Sequence, residues 1–402
     1  MRYIKNGVLK FDLKTICVYL VVLDILLGPY LPGVSCLISM LIVYGWIAIN
    51  FQMLKKRTSV WIGCMIILFV MLSIGMSYFM KGPAWLGTNI TGGVLMCTYI
   101  AYYIFFEYQL TKSKYLISKI FEVYIWSAFG FSVLYLVNPQ MYFNLRSIWS
   151  LSGTKITFYD AMYNRFTFIQ SDPNSIGCVL SSMCLYILIF DHKMKATKKV
   201  MIAIATGCVA SISLSTTSIV SYALCMGIVL VLEIKKRIKI NFKIILLGVL
   251  LLVGGVFGIS RINIKVDLFD LIVERVGGNL SGGTMSGRTI IWQSVIEDFE
   301  WIEYVLWGYG SSIVDPHGVS RAPHNGHFFV VLAYGLVAYI LFMFLFFNKR
   351  KKISWKEYMI ILPMFLLFSV NTLLIDFRAC LVLPLISALF EMEVSQKEVE
   401  NG

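Results

Sequence analysis

Apolar runs of about twenty residues follow one another from end to end of this 402-residue chain, and each is long enough to cross a bilayer as a helix. They fall at 12–29, 33–52, 60–80, 91–110, 116–138, 173–191, 199–214, 216–233, 243–260, 323–347, 357–375 and 377–391. In lipid a spanning segment must satisfy its own backbone groups, which a helix does. The pattern therefore predicts an all-α polytopic membrane protein with about twelve transmembrane helices, and 1–402 as a single integral membrane domain. The basic N-terminus leads into the first run without a small-x-small cleavage pattern before Pro29, so that run reads as a retained span.

Two connections break the rhythm, one at 139–172 and one at 261–322. The second is the longest polar stretch, and long loops are commonly functional. It carries Trp292, Trp301, Trp307 and Tyr309, while Ile290, Ile291, Val295, Ile296, Phe299 and Ile302 recur at helical spacing. That predicts an amphipathic surface helix over 287–305 and a shorter one over 266–276. Gly277-Gly278 and Ser281-Gly282-Gly283 form a turn between them.

Composition agrees with the pattern. The chain is 58% apolar and 14% charged, whereas a soluble domain carries about 25% charged residues. All nine Cys lie in apolar runs and none forms a C-x-x-C pair, so they read as small buried apolar side chains.

Charge then sets orientation. Of the 35 Lys and Arg residues, 25 lie in alternate short connections or at the ends of the chain, and only four of those 25 are Arg. The positive-inside rule puts this set in the cytoplasm, together with both termini. The net charge of +13 follows from topology. No basic block with interleaved aromatics stands apart from a span, which argues against nucleic acid.

The other ten basic residues lie on the outer side, and seven are Arg: Arg146, Arg165, Arg261, Arg275, Arg288, Arg321 and Arg378. Lys would set topology equally well. Arg adds a permanent charge and a planar fork of donors matched to phosphate oxygens. The set therefore suggests a site for an anionic group, the alternative being pairing with Asp267, Asp270, Glu274 or lipid phosphates.

Four local features carry candidate chemistry. Arg165 stands just ahead of Asp172-Pro173-Asn174, a helix opening with a capping Asp and a Pro in the first turn. Ser211, Ser213, Ser215, Thr216, Thr217 and Ser218 mark a tight outer turn suited to lining a cavity. Ser286-Gly287-Arg288 opens the expected surface helix, whose unpaired N–H groups favour an anion, and the Gly308-Tyr309-Gly310 turn follows it. Pro323-His324-Asn325 stands at the mouth of the tenth span. His324 is the general-base candidate, because imidazole titrates near neutral pH; a capping role is its alternative. His317, His324 and His327 with Asp315 match no standard metal-ligand spacing, so no metal is expected.

In their order and placement these features resemble the O-antigen polymerase and O-antigen ligase family of bacterial cell-surface polysaccharide synthesis, which includes capsular and exopolysaccharide polymerases. One departure is that many members have an Arg after the Ser-rich turn, where this chain has Thr217 and Ser218. The resemblance implies a GT-C-like membrane fold and a metal-independent glycosyltransferase without a cofactor. It implies an oligosaccharide on undecaprenyl diphosphate as donor, at the outer face of the bacterial plasma membrane. Membrane lipids and other polysaccharide-assembly proteins would be its partners. On that reading Arg165 and Arg288 grip the donor diphosphate, Arg261, Arg275 or Arg321 assist, and His324 takes the proton from an acceptor sugar hydroxyl of a second lipid-linked repeat unit. The alternatives are a ligase with a foreign acceptor, or a transporter or flippase of a lipid-linked or anionic substrate. A transporter would carry more ionisable groups deep in its spans than Asp24 and Glu107.

Overall fold

The computed structural model describes residues 13–28, 36–55, 57–110, 114–149, 165–170, 172–235, 293, 297, 305–312, 325–347, 362–369 and 377–389. Among these residues the regular structure is helical throughout, with no strand. In chain order the helices are α1 (Leu13–Leu27), α2 (Leu37–Leu54), α3 (Thr58–Lys81), α4 (Leu86–Gln109), α5 (Lys114–Val137), α6 (Pro139–Trp149), α7 (Pro173–Phe190), α8 (Ala196–Ile212), α9 (Thr216–Lys235), α10 (Gly326–Phe347) and α11 (Leu362–Phe368). α12 opens at Phe377–Cys380 and, after a turn at Leu381, continues to Leu389.

Eleven of the twelve apolar runs thus have a described helix in their place; the run at 243–260 lies outside the described residues. Among the described helices, six are long and apolar enough to cross a membrane: Leu37–Leu54, Thr58–Lys81, Pro83–Gln109, Ile117–Val137, Pro173–Phe190 and Gly326–Leu345. α2 and α3 present large apolar side chains outward, with Leu41 69%, Ile49 85% and Phe79 83% exposed. Such a surface would associate in water and is stable facing lipid. These helices and their lipid-facing surface make the chain an integral membrane protein.

α7 is the centre of one group, packed against α8, α9, α5 and α11. Glycine permits the close approach of α9: a Cβ on Gly177 would stand 2.1 Å from the Cβ of Ser218. Small residues at a helix crossing let backbones approach where lipid removes the hydrophobic drive. α3 is the centre of a second group with α4 and α10, and α1 joins α2 to α4 and α5.

Polar contacts gather at two ends of the bundle. At one end Lys119 reaches Glu122 at 3.0 Å and Lys198 also pairs with it. There the Ser118 hydroxyl donates to Asp191 at 2.6 Å, and the Lys199 ammonium to the Leu188 carbonyl at 2.8 Å. At the other end the Lys81 ammonium donates to the Tyr309 carbonyl at 2.6 Å, and Arg146 to the Gln170 carbonyl at 3.1 Å. These contacts join segments that the charge pattern assigns to one side of the membrane in each case.

α10 is discontinuous. Gly335 has φ 89° and ψ 164°, a conformation essentially reserved for glycine. The expectation of one unbroken span over 323–347 is therefore corrected to two helical halves meeting at Gly335.

Candidate functional site

Arg165 is the first of the described residues 165–170 and is itself only partly buried. The following residues are locked down. Tyr142 of α6 accepts from the Thr167 amide at 3.2 Å and donates to the Phe168 carbonyl at 3.3 Å. The Gln170 side chain donates to the Tyr124 hydroxyl at 2.7 Å, and its carbonyl takes the Arg146 guanidinium. Phe166 packs against Tyr135 and Tyr142, and Phe168 against Tyr124 and Phe131. Phe168 adopts φ 54° to turn the chain there. The result is an arginine at the rim of a rigid aromatic shelf, a pre-organised mount for a cation.

The shelf runs into α7. Asp172 accepts from the Asn174 amide at 2.6 Å and caps the helix, with Pro173 in the first turn, as its sequence predicts. Asn174 in turn accepts from the Ser215 hydroxyl at 2.6 Å, and the Ser218 hydroxyl donates to the Pro173 carbonyl at 2.7 Å. The structure therefore brings together two of the features singled out in the sequence, the Asp-Pro-Asn opening and the Ser/Thr-rich turn. Ser211 and Ser213 donate back to the Gly207 and Ala210 carbonyls. The Ser215 and Ser218 hydroxyls thus clamp the turn against the opening of α7.

A second cluster surrounds α10. Asn325 accepts from the amides of His327 at 2.9 Å and Phe328 at 3.1 Å, so its side chain caps the helix. His327 faces inward. Its Nδ1 lies 3.3 Å from the Tyr339 hydroxyl, and its ring packs on Phe365 and Phe368. Its described surroundings are aromatic, unlike a ligand set for a divalent ion. The Gly308-Tyr309-Gly310 turn lies against the break in α10.

His324, Arg288, Arg321, Arg261 and Arg275 lie outside the described residues, as do His317 and Asp315, and so do most of the two expected surface helices at 266–276 and 287–305. Two members of the arginine set prove to be structural anchors. Arg146 holds Gln170, as above. Arg378, 1% exposed, donates to the carbonyls of Ile25, Leu26 and Gly28 at the end of α1. Sequence reasoning missed Tyr142 and Tyr124 as anchors of the shelf. Their only signal was the density of aromatic residues on either side of 138–144.

No curated relative and no solved structure matches the chain. Residues 201–343 match the family model described as O-antigen ligase. The match runs from α8 through the Ser/Thr-rich turn, α9 and the second long connection into α10, so it takes in Arg261, Arg275, Arg288, Arg321 and His324 and leaves Arg165 outside. It bears out the resemblance read from the sequence: over 201–343 the chain is similar to the O-antigen ligase family.

Proposed function

We propose that the protein is a polysaccharide polymerase of the bacterial plasma membrane, working at the outer face on lipid-linked repeat units. Members of this family are glycosyltransferase-like enzymes, and the family match over 201–343 is the observation that carries the reading. Undecaprenyl-diphosphate-linked oligosaccharide serves as donor and as acceptor. A hydroxyl of the acceptor sugar attacks the anomeric carbon of the donor. A new glycosidic C–O bond forms as the bond to diphosphate breaks, and undecaprenyl diphosphate leaves with the electron pair.

That leaving group needs positive charge aimed at it as it departs. Arg165 and Arg288 supply it, with Arg261, Arg275 or Arg321 assisting, and His324 accepts the proton of the attacking hydroxyl. The shelf that holds the backbone directly after Arg165 supports its part, because an anchored chain has less freedom to lose when its arginine grips a phosphate.

A ligase differs only in its acceptor, and the description of the matched family favours that as the second reading. A transporter gains one observation, since discontinuous helices line many transport paths. Here, however, the backbone groups freed at Gly335 are taken up by the protein itself.

Purified full-length protein in liposomes, supplied with a lipid-diphosphate-linked oligosaccharide, tests the reading on a gel. A ladder of products is expected, abolished by Arg165→Ala, Arg288→Ala or His324→Ala. A single transfer to an added foreign acceptor would make it a ligase, and movement across the bilayer without a new bond a transporter.

A further inference from the structure

The break at Gly335 frees backbone groups that a continuous helix would pair internally. Residues 305–310 take them up. The Tyr309 amide donates to the Leu332 carbonyl at 2.6 Å, and the Gly310 amide to the Ala333 carbonyl at 3.0 Å. In return the Leu336 amide donates to the Val305 carbonyl at 2.6 Å. The loop thus replaces one turn of helix, group for group, which is the condition for breaking a helix at membrane depth.

Three glycines make this fit. Gly308, Gly310 and Gly335 all have positive φ. A Cβ on Gly335 would stand 2.1 Å from the Leu306 carbonyl oxygen, one on Gly308 2.5 Å from Ala333 backbone, and one on Gly310 2.7 Å from the Asn89 side chain. At Gly335 and Gly308 the side-chain space is filled by the backbone of the opposing element, so any other residue there must push the two apart, and at Gly310 it is filled by the Asn89 side chain.

The bundle then grips the joint. The Ser73 hydroxyl of α3, fully buried, donates to the Ala333 carbonyl and accepts from the Gly310 amide at 3.1 Å. One oxygen therefore ties α3, the loop and α10 together. Asn89 of α4 accepts from the Ser312 amide at 2.8 Å, and the Ser311 hydroxyl donates to the Thr88 carbonyl at 2.9 Å. Lys81 covers the Tyr309 ring at 5.1 Å. Ser73 lies eight residues from the end of α3 at Lys81, which is about 12 Å along the helix. The loop therefore re-enters the bundle from that end.

We propose that 305–312 is a re-entrant positioning element: Ser73 and Gly335, acting through this loop, fix the half of α10 that Asn325 caps, and so hold the residue that directly follows His324 in the chain. The proposal rests on the reading of His324 as proton acceptor. It gives a task to the Gly-Tyr-Gly turn, and it ties the end of the long connection 261–322 to the same joint as the histidine.

The test uses the full-length protein in liposomes with a lipid-diphosphate-linked oligosaccharide, comparing Ser73→Ala, Ser73→Thr, Gly335→Ala and His324→Ala at matched amounts of inserted protein. Displacing a base by about 1 Å can cost about 10²-fold in rate. Ser73→Ala and Gly335→Ala are expected to lower kcat by about tenfold to 10²-fold with little change in donor KM, the pattern of a misplaced group rather than lost binding. Ser73→Thr, which keeps the hydroxyl, should restore most of the rate. Independently, a Ser311→Cys variant should take up no more hydrophilic maleimide than the parent protein with its nine cysteines, and adding Gly335→Ala should raise labelling above that level.

Wild-type kcat in both Ser73→Ala and Gly335→Ala, with His324→Ala inactive, overturns the positioning proposal and leaves the histidine reading standing. Wild-type kcat in His324→Ala overturns both. Rapid labelling of Ser311→Cys alone shows the loop undocked and overturns the proposal without reference to activity.

Discussion

The Nδ1 of His327 lies 3.3 Å from the hydroxyl of Tyr339, although the two residues are twelve positions apart in one apolar run. In a continuous helix twelve residues rise about 18 Å, beyond the joint reach of an imidazole and a phenol. The contact exists because the halves of α10 are inclined to each other at Gly335. A double-mutant cycle on His327→Ala and Tyr339→Phe should therefore give a coupling of about 0.5–1.5 kcal/mol in thermal or denaturant unfolding of the detergent-solubilised protein. Strict additivity would mean that the two side chains do not meet and that the span is straight.

The break was not legible in the sequence, for a physical reason. A run such as 326–347 is apolar on all sides, so it has no periodicity whose phase could slip. Gly335 in such a run is also unremarkable, because glycine is frequent in membrane helices. What makes it a break is the backbone of 305–310, far away along the chain. The positions of the helices, by contrast, were largely legible, because a bilayer sets their length and excludes charge from them. The helix opening at Asp172-Pro173 was legible too, since a cap is a local device.

The arginine set is a case where the residue type was informative and the grouping was not. Arg378 donates to three carbonyls at the C-terminal end of α1, groups that a helix leaves without internal partners. Nothing near 378 in the sequence signals this, since the partners lie some 350 residues away. Arg378→Ala should destabilise the solubilised protein by about 3 kcal/mol or more, the range for losing charge-assisted hydrogen bonds at a buried site. Arg378→Lys should recover little of that, as an ammonium cannot span three carbonyls in the guanidinium's plane. Whatever protein survives in the membrane should give products of normal length. Arg165→Ala should show the converse: normal thermal stability and no long product. Loss of product at unchanged stability in Arg378→Ala would return that residue to the substrate-binding set.

Gly177 and Ser218 supply a prediction about packing. Ala at 177 would put a Cβ 2.1 Å from the Ser218 Cβ, 2.2 Å from its hydroxyl and 2.5 Å from its Cα. Overpacking of this kind costs about 1–3 kcal/mol, and here it would also pull Ser218 from the Pro173 carbonyl and loosen the opening of α7. Gly177→Ala should lower the unfolding temperature in detergent. A second change, Ser218→Gly, removes the two closest contacts but leaves the Cα, so it should recover part of the loss. A double variant less stable than Gly177→Ala would mean that the hydrogen bond of Ser218 matters more at this crossing than the space it occupies.

The assignment of sides makes the last prediction. The contacts of Lys119 and Lys198 with Glu122 and of Ser118 with Asp191 gather at one end of the bundle, and those of Arg146 with Gln170 and of Lys81 with Tyr309 at the other. The lysine-rich connections belong to the first end, which the positive-inside rule puts in the cytoplasm. Ser147 on α6 and Thr197 at the start of α8 are both exposed and sit on opposite sides in this scheme. In cells, a membrane-impermeant maleimide should label Ser147→Cys at once, and Thr197→Cys only after the membrane is permeabilised. Both labels must be read against the parent protein, because it has nine cysteines of its own. The reverse order would turn the arginine-rich end toward the cytoplasm, where a donor presented at the outer face could not reach it, and the proposed polymerase chemistry would have no substrate.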